Sequence, residues 1–190
     1  LRFDTETISQ LAIVSPTVSY ALTKDATTWR LTQPVQDLAD HAAVSTRLRT
    51  LAALRIKRFL TDTPSVEERS RLGLEPPQSS ITLHSAGTEP VMTTLVFGHS
   101  LDDDPLLIAA TRTDEPMLYA VAKEELEPWL TDWKALRQMR AVLVSRSEIT
   151  KIAVTQTDGS WVLEKGEQGW KDGTGIERPA AAIETFLDQL

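Results

Sequence analysis

Apolar and polar positions alternate with a period of two through three short stretches near the start of the chain. Leu11 and Ile13 mark the first, Val18, Tyr20 and Leu22 the second, Trp29 and Leu31 the third. Half-buried strands have this spacing, because successive side chains point to opposite faces of a sheet. Turn-forming residues separate the stretches: Ser15-Pro16-Thr17, then Lys24-Asp25-Ala26-Thr27. The period then changes. Val44, Leu48, Leu51 and Leu54 recur at helical spacing behind Asp40, a residue type that caps helix N-termini. The pattern predicts a three-stranded meander followed by a helix, since a sheet with one apolar face needs a cover against water.

The same pattern returns 141 positions later. Ile8 falls on Ile149, Leu11 on Ile152, Ile13 on Val154, Tyr20 on Trp161, Leu22 on Leu163, Lys24 on Lys165 and Trp29 on Trp170. No gap is needed between Ile8 and Arg30. In the following helix the offset becomes 139, so that Ile183, Leu187 and Leu190 match Val44, Leu48 and Leu51. Pro179 suits a first helical turn. The expectation is an α+β fold built on duplicated antiparallel three-stranded meander plus helix units, joined by a mixed β-hairpin and short-helix middle region. Residues 1–141 are expected to form a first complete repeat domain, with meander, helix and β-rich middle. Residues 142–190 are expected to form a second, partial repeat packing on the first. The tryptophans read as packing anchors, each removing ~150–250 Å² from water when buried, with sugar or base stacking as the functional alternative.

Between the repeats, Ile56, Arg58 and Leu60 read as a short strand. Ser65 and Glu68 stand at capping-box spacing before a helix that stops near Gly73. Ile81 and Leu83 begin a strand after Pro76-Pro77. Val91 to Phe97 alternates as another, closed by Gly98. Residues 106–111 and 117–121 form a hairpin. Residues 123–130 are helical, with Pro128 expected to break or restart the helix, and a last helical piece covers Trp133 to Arg140.

Composition narrows the function classes. A net charge of −7 repels nucleic-acid phosphates and anionic lipid. The one basic segment, Arg47, Arg49, Arg55, Lys57 and Arg58, is interrupted by apolar residues at helical spacing and reads as a solvated helix face. With no cysteine in the chain, disulfides, thiolate metal sites and cysteine nucleophiles are excluded. No apolar run approaches the roughly 18 residues of a membrane span. The start at Leu1 reads as a trimmed or mature form.

Candidate chemistry is sparse. Asp102-Asp103-Asp104 after His99 resembles a hard-cation site but lacks calcium-loop spacing, so a solvated loop is favoured. His41, His84 and His99 are the three histidines, and surface or edge positions are favoured over a shared metal site. Ser79-Ser80 has no nucleophile-elbow context. The stretch "KDGTGIE", 171–177, reads as a loop between strand and helix. Within "EELEPW", Trp129 is expected to be partly packed at a helix end. No catalytic, cofactor-binding or metal-binding residue is assigned.

Five segments carry a resemblance: "TTWRLTQPVQDLADHAAVSTRLRTLAALRIKRFL", "GLEPPQSSITL", "LVFGHS", "LYAV" and "DWKALRQMRAVLVSRSEITKIAV", in that order. Together they resemble the domain of unknown function (DUF) 4340 family. The resemblance implies a bacterial envelope protein on the periplasmic side, with an N-terminal membrane anchor outside this chain. It also implies protein partners, including components of ABC-type transporters, and brings no catalytic residues. The expected function is therefore a non-catalytic structural or accessory module that binds no nucleic acid and touches the membrane only through that anchor. The alternatives are a metal-assisted hydrolase using Asp102–Asp104 with His99 or His84, and a glycan-binding module using Trp129, Trp133 or an exposed repeat tryptophan.

Overall fold

The computed structural model describes residues 3–87, 90–140, 144, 146–167 and 169–187. These are mixed α and β, mostly strand, with four α-helices and two antiparallel sheets. The chain divides into two compact units, Leu1–Gln138 and Met139–Leu190.

The first unit opens with β1 (Ile8–Val14), β2 (Ser19–Asp25), β3 (Thr28–Gln33) and β4 (Asp37–Leu38), each antiparallel to its predecessor. The fourth strand is a difference from the sequence reading: two residues are too few to show a period of two. Helix α1 (His41–Ala52) follows, with the Asp40 carboxylate accepting from the Ala43 amide at 2.9 Å. It buries Val44, Leu48 and Leu51.

The middle of the chain is not a connector between units. Its strands β5 (Arg58–Thr61), β6 (Ser79–Ser85), β7 (Met92–Ser100), β8 (Leu107–Arg112) and β9 (Leu118–Ala122) continue the meander into one nine-stranded sheet. The order is β4-β3-β2-β1-β6-β7-β8-β9-β5. The joint is β1 on β6, with Leu11 opposite Leu83 and Ile13 opposite Ile81. All four are buried in one core, so the pairing continues the apolar face of the meander and fills the ladder edge that a lone meander leaves open.

At β7–β9 both faces of the sheet are covered. Phe97, Ile108, Ala110 and Val121 join the core that holds α1, while Val96, Ala109, Leu118 and Ala120 form a smaller core on the other side. Burial on two faces explains why β9 reads "LYAVA" without alternation. The second face is closed by the segment after α2 (Val66–Arg71), through Leu72 and Leu74. The capping box is present: the Ser65 hydroxyl accepts from the Glu68 amide, and the Glu68 carboxylate accepts from the Ser65 amide at 2.8 Å.

Gly98 does not end a strand. It lies inside β7, where a Cβ would sit 1.9 Å from the Leu72 carbonyl oxygen. That oxygen accepts from the His99 amide at 2.7 Å. Glycine here permits two backbones to touch rather than a turn.

Helix α3 (Lys123–Thr131) runs through Pro128 without stopping. Proline removes one amide donor, and the burial of Leu126 and Trp129 on the core side holds the helix across that gap. Trp129 is fully buried at 1% exposure, not partly packed. A 3-10 turn at Lys134–Leu136 follows, where a longer helical piece was expected. The Tyr20 hydroxyl donates to the Trp129 carbonyl at 2.9 Å.

Burial pushes the Tyr20 phenol up to about 12, with the neighbouring Arg47 guanidinium pulling the other way. The unfolded value is about 10. Tyr20 therefore supports the fold fully below pH about 10, and that support is lost as pH rises toward the folded value. Stability of the first unit is expected to fall above pH about 10 by roughly 1.4 kcal/mol per pH unit from this residue. Phenolate absorbance should rise together with unfolding. Tyr20 ionising at its ordinary pH in a folded chain would contradict this.

The second unit comprises β10 (Lys151–Gln156), β11 (Gly159–Gly166), β12 (Gly169–Asp172) and β13 (Glu177–Arg178), paired antiparallel in that order, then helix α4 (Ala180–Leu187). The stretch read as a loop at 171–177 thus holds the end of β12 and the start of β13, with the loop between them. Ile152 lies opposite Leu163 and Val154 opposite Trp161. In the first unit Leu11 lies opposite Leu22 and Ile13 opposite Tyr20. Lys165 pairs with Trp170 across β11 and β12, its ammonium 5.9 Å from the ring centroid. Lys24 pairs with Trp29 across β2 and β3, with its ammonium at 6.0 Å. Ile152, Trp170, Ile183 and Leu187 form the core of the second unit. Leu190, predicted to extend the apolar stripe of α4, lies outside the described residues.

Candidate functional site

The second unit carries an apolar groove between β11 and α4, with a cavity of about 380 Å³. Trp161 and Leu163 on β11 and Ile183 and Phe186 on α4 line it, with Asp172 and Arg178 at its rim. Strand alternation puts Trp161 and Leu163 on one face of β11. One turn of helix puts Phe186 beside Ile183. The Trp161 and Phe186 rings meet edge to face, 6.2 Å between centroids at 66°. Yet Trp161 is 42% exposed and Phe186 36%. Ile176, in the loop before β13, is 59% exposed.

Asp172 holds that loop. Its carboxylate accepts from the Thr174 amide at 2.9 Å, the Thr174 hydroxyl at 2.6 Å and the Ile176 amide at 3.0 Å. It also pairs with Arg178 through Nε at 3.0 Å and Nη2 at 2.5 Å. These donors, led by Thr174 and Arg178, hold the carboxyl far below the usual carboxylate range. A depressed pKa contributes stability above the unfolded value of about 3.9, lost as pH falls through the folded value. Asp172→Asn is therefore expected to lower amide-exchange protection of residues 172–178 at neutral pH. The gap from wild type should begin to narrow below pH about 4 and close only as pH falls through the depressed folded value. A gap that stays constant across that range would show that the carboxylate charge is not what holds the loop.

The predicted polar candidates do not assemble. Asp103 forms two hydrogen bonds with the Arg58 guanidinium, both 2.8 Å. Asp104 accepts from the Leu106 amide. His41 begins α1 at the surface, His99 is exposed beside Gly73, and His84 lies partly buried in β6. Ser79 is buried in β6 opposite Phe97. Among the described residues, no group of three or more histidine, aspartate or glutamate side chains is placed to hold a metal ion. The basic segment is partly neutralised: Lys57 pairs with Glu125 at 3.2 Å, and Arg58 with Asp103.

Of the tryptophans, Trp29, Trp129 and Trp170 are buried, Trp133 is partly buried and Trp161 opens to solvent. Trp129 therefore offers no face to a sugar. Sequence reading alone does not single out the groove residue Phe186. Phe186 follows Ile183 by three residues beside Ala182, and an apolar helix position carries no sign of whether anything covers it. Among the described residues, no helix is long and apolar enough to cross a membrane.

The family model described as Domain of unknown function (DUF4340) matches residues 29–190. The chain belongs to that family. The DUF4340 match begins at Trp29, in β3, and runs through both sheets and the groove. No curated protein and no solved structure matches the chain.

Proposed function

We propose that this DUF4340 chain is a non-catalytic accessory module of a bacterial envelope, built on two copies of one meander–helix unit. It faces the periplasm, is held at a membrane by an anchor outside this chain, and works by contacting proteins, with ABC-type transporter components as the candidate class. The observation that carries the reading is the groove of the second unit, which offers apolar aromatic surface where an enzyme would converge polar groups. The family resemblance supplies the location. In the organism that encodes the full gene product, a photo-crosslinker in place of Ile176 is expected to capture envelope proteins, and protease added to spheroplasts should digest the module. Capture of cytosolic proteins alone, together with protection from protease, would sink the reading.

The duplication rests on matched strand pairing and on a lysine over a tryptophan in each unit, 6.0 and 5.9 Å from the ring centroids. A cation over an indole contributes about 0.5–1 kcal/mol at an exposed site. Lys24→Gln and Lys165→Gln are each expected to cost that much in their own unit, read by hydrogen exchange of β2–β3 and β11–β12. A loss confined to one unit would argue against a shared design.

A further inference from the structure

Between the β2–β3 hairpin and α1 the first unit holds a cavity of about 320 Å³, at the small end of the range for ligand pockets. Lys24 lines it from β2, Trp29 from β3 and Glu6 from the segment before β1. His41, Ser45 and Arg49 line it from α1, four residues apart and therefore on one face of the helix. The Lys24 ammonium stands 6.0 Å from the Trp29 ring centroid and donates to the Glu6 backbone carbonyl at 3.5 Å. The Arg49 guanidinium donates to the Ser45 carbonyl and to the Thr46 hydroxyl, both at 3.3 Å, beyond the usual length of an N–H···O bond. These are weak tethers that leave both cations available.

Among the described residues, neither Lys24 nor Arg49 forms an ion pair with a carboxylate. Lys57 and Arg58, in the same basic segment as Arg49, are each paired with one. A chain of net charge −7 thus keeps two cations beside one cavity without neutralising them, and Glu6 is the one acidic residue in the lining. The second copy of the unit does not repeat the arrangement. Lys24 and Trp29 recur as Lys165 and Trp170, but by the helix offset of 139 His41, Ser45 and Arg49 fall on Ala180, Glu184 and Asp188. What the packing of the module demands, the lysine over the tryptophan, both copies carry. The cationic helix face is carried by one, so the fold itself does not require it.

We infer that this cavity is a binding site for a small organic oxyanion, whose carboxylate or phosphate group is held between the Lys24 ammonium and the Arg49 guanidinium. A guanidinium presents forked donors that match two oxygens of one group, and an ammonium adds a point charge. The Ser45 hydroxyl and the His41 imidazole, on the same helix face as Arg49, supply further hydrogen-bonding groups. The volume exceeds what a bare phosphate fills, which leaves room for an organic body. The Glu6 carboxylate opposes an anion, so it limits affinity rather than supplying it. The comparison of the two copies rests on the duplication; the cavity and its charges stand without it.

The test is a nuclear magnetic resonance titration of the isotope-labelled whole chain with glycerol phosphate and with succinate, at constant ionic strength set by sodium chloride. Saturable shifts are expected at Lys24, Arg49 and the Trp29 indole, and the tighter of the two probes tells a phosphate site from a carboxylate site. Arg49→Gln, at an exposed position, is expected to weaken binding at least about tenfold, as loss of a charged hydrogen-bond donor does. Glu6→Gln is expected to tighten it about threefold by removing the opposing charge. Lys165→Gln, in the second unit, should leave it unchanged. Unmoved signals elsewhere in Arg49→Gln would separate loss of the site from loss of fold, and Glu6→Gln decides alone if that variant does not fold. The inference is overturned if neither probe gives saturable shifts up to about 20 mM, if chloride reproduces them, or if binding is indifferent to both Arg49→Gln and Glu6→Gln. In each of those cases the envelope reading stands, because it uses no ligand of the first unit.

Discussion

Gly98→Ala is expected to cost the first unit more than about 3 kcal/mol, enough to leave much of the chain unfolded near room temperature. The added methyl would lie 1.9 Å from the Leu72 carbonyl oxygen and 2.9 Å from its carbon. Both are backbone atoms, so no rotamer change relieves the clash. The Leu72 carbonyl is also the acceptor for the His99 amide, so moving it away breaks a hydrogen bond as well. β7 sits in the interior of the nine-stranded sheet, between β6 and β8. A shift there propagates to two ladders and to the core under Leu72 and Leu74. Gly173→Ala is the control, since nothing lies within 4 Å of its added methyl, and it should stay within about 0.5 kcal/mol. Urea denaturation of the two variants checks the contrast. A Gly98→Ala protein with a midpoint near wild type would show that the β7 backbone and the Leu72 turn do not press together as described.

Trp170→Ala is expected to unfold the second unit while the first stays folded. Removing a buried tryptophan costs about 3–5 kcal/mol. A unit the size of Met139–Leu190 has roughly 3–8 kcal/mol in total at typical stability per residue. Trp170 is 2% exposed and is the largest member of a four-residue core. Trp29→Ala removes an equally buried ring, 1% exposed, but from a core with more than twenty other buried members. It should lower the first unit's stability by a similar amount without abolishing its fold. Hydrogen exchange read by mass spectrometry separates the units: Trp170→Ala should lose protection in β10–β12 and keep it in β6–β9. Simultaneous loss in both units would mean that they unfold as one body.

Local features were legible in the sequence, and long-range ones were not. Alternation placed the strands at Leu11–Ile13, Tyr20–Leu22 and Trp29–Leu31, Asp40 placed the start of α1, and Ser65 with Glu68 placed that of α2. Each signal acts over a few residues, where spacing alone fixes geometry. The pairing of β1 with β6 brings Leu11 to Leu83, and a period of two says which face a residue takes but not which strand lies beside it. That is why the sequence places a β-rich middle in the first domain without showing that its strands extend the meander's own sheet. From sequence Gly98 reads as a strand end, because glycine has two uses, turning and close approach, and only the position of Leu72 distinguishes them. Trp129 looked half-packed because Pro128 pointed to a helix end. Burial of Leu126 and Trp129 outweighed one missing hydrogen bond. The groove was hidden for a related reason: whether Trp161 is covered depends on what lies over it, and no pattern within β11 records that.

The last strand in the order of the first sheet, β5, is made early and used late. It spans Arg58–Thr61, and its partner β9 begins at Leu118. At typical rates of synthesis the ribosome takes on the order of several seconds to travel between them. Until β9 is made, the ladder groups of Phe59 and Leu60 have no strand to pair with, and an unpaired edge is a template for another chain. Phe59 remains 64% exposed even after the sheet closes. The bidentate grip of Arg58 on Asp103 likewise waits for later residues, so β5 can complete its contacts only after most of the first unit has been made.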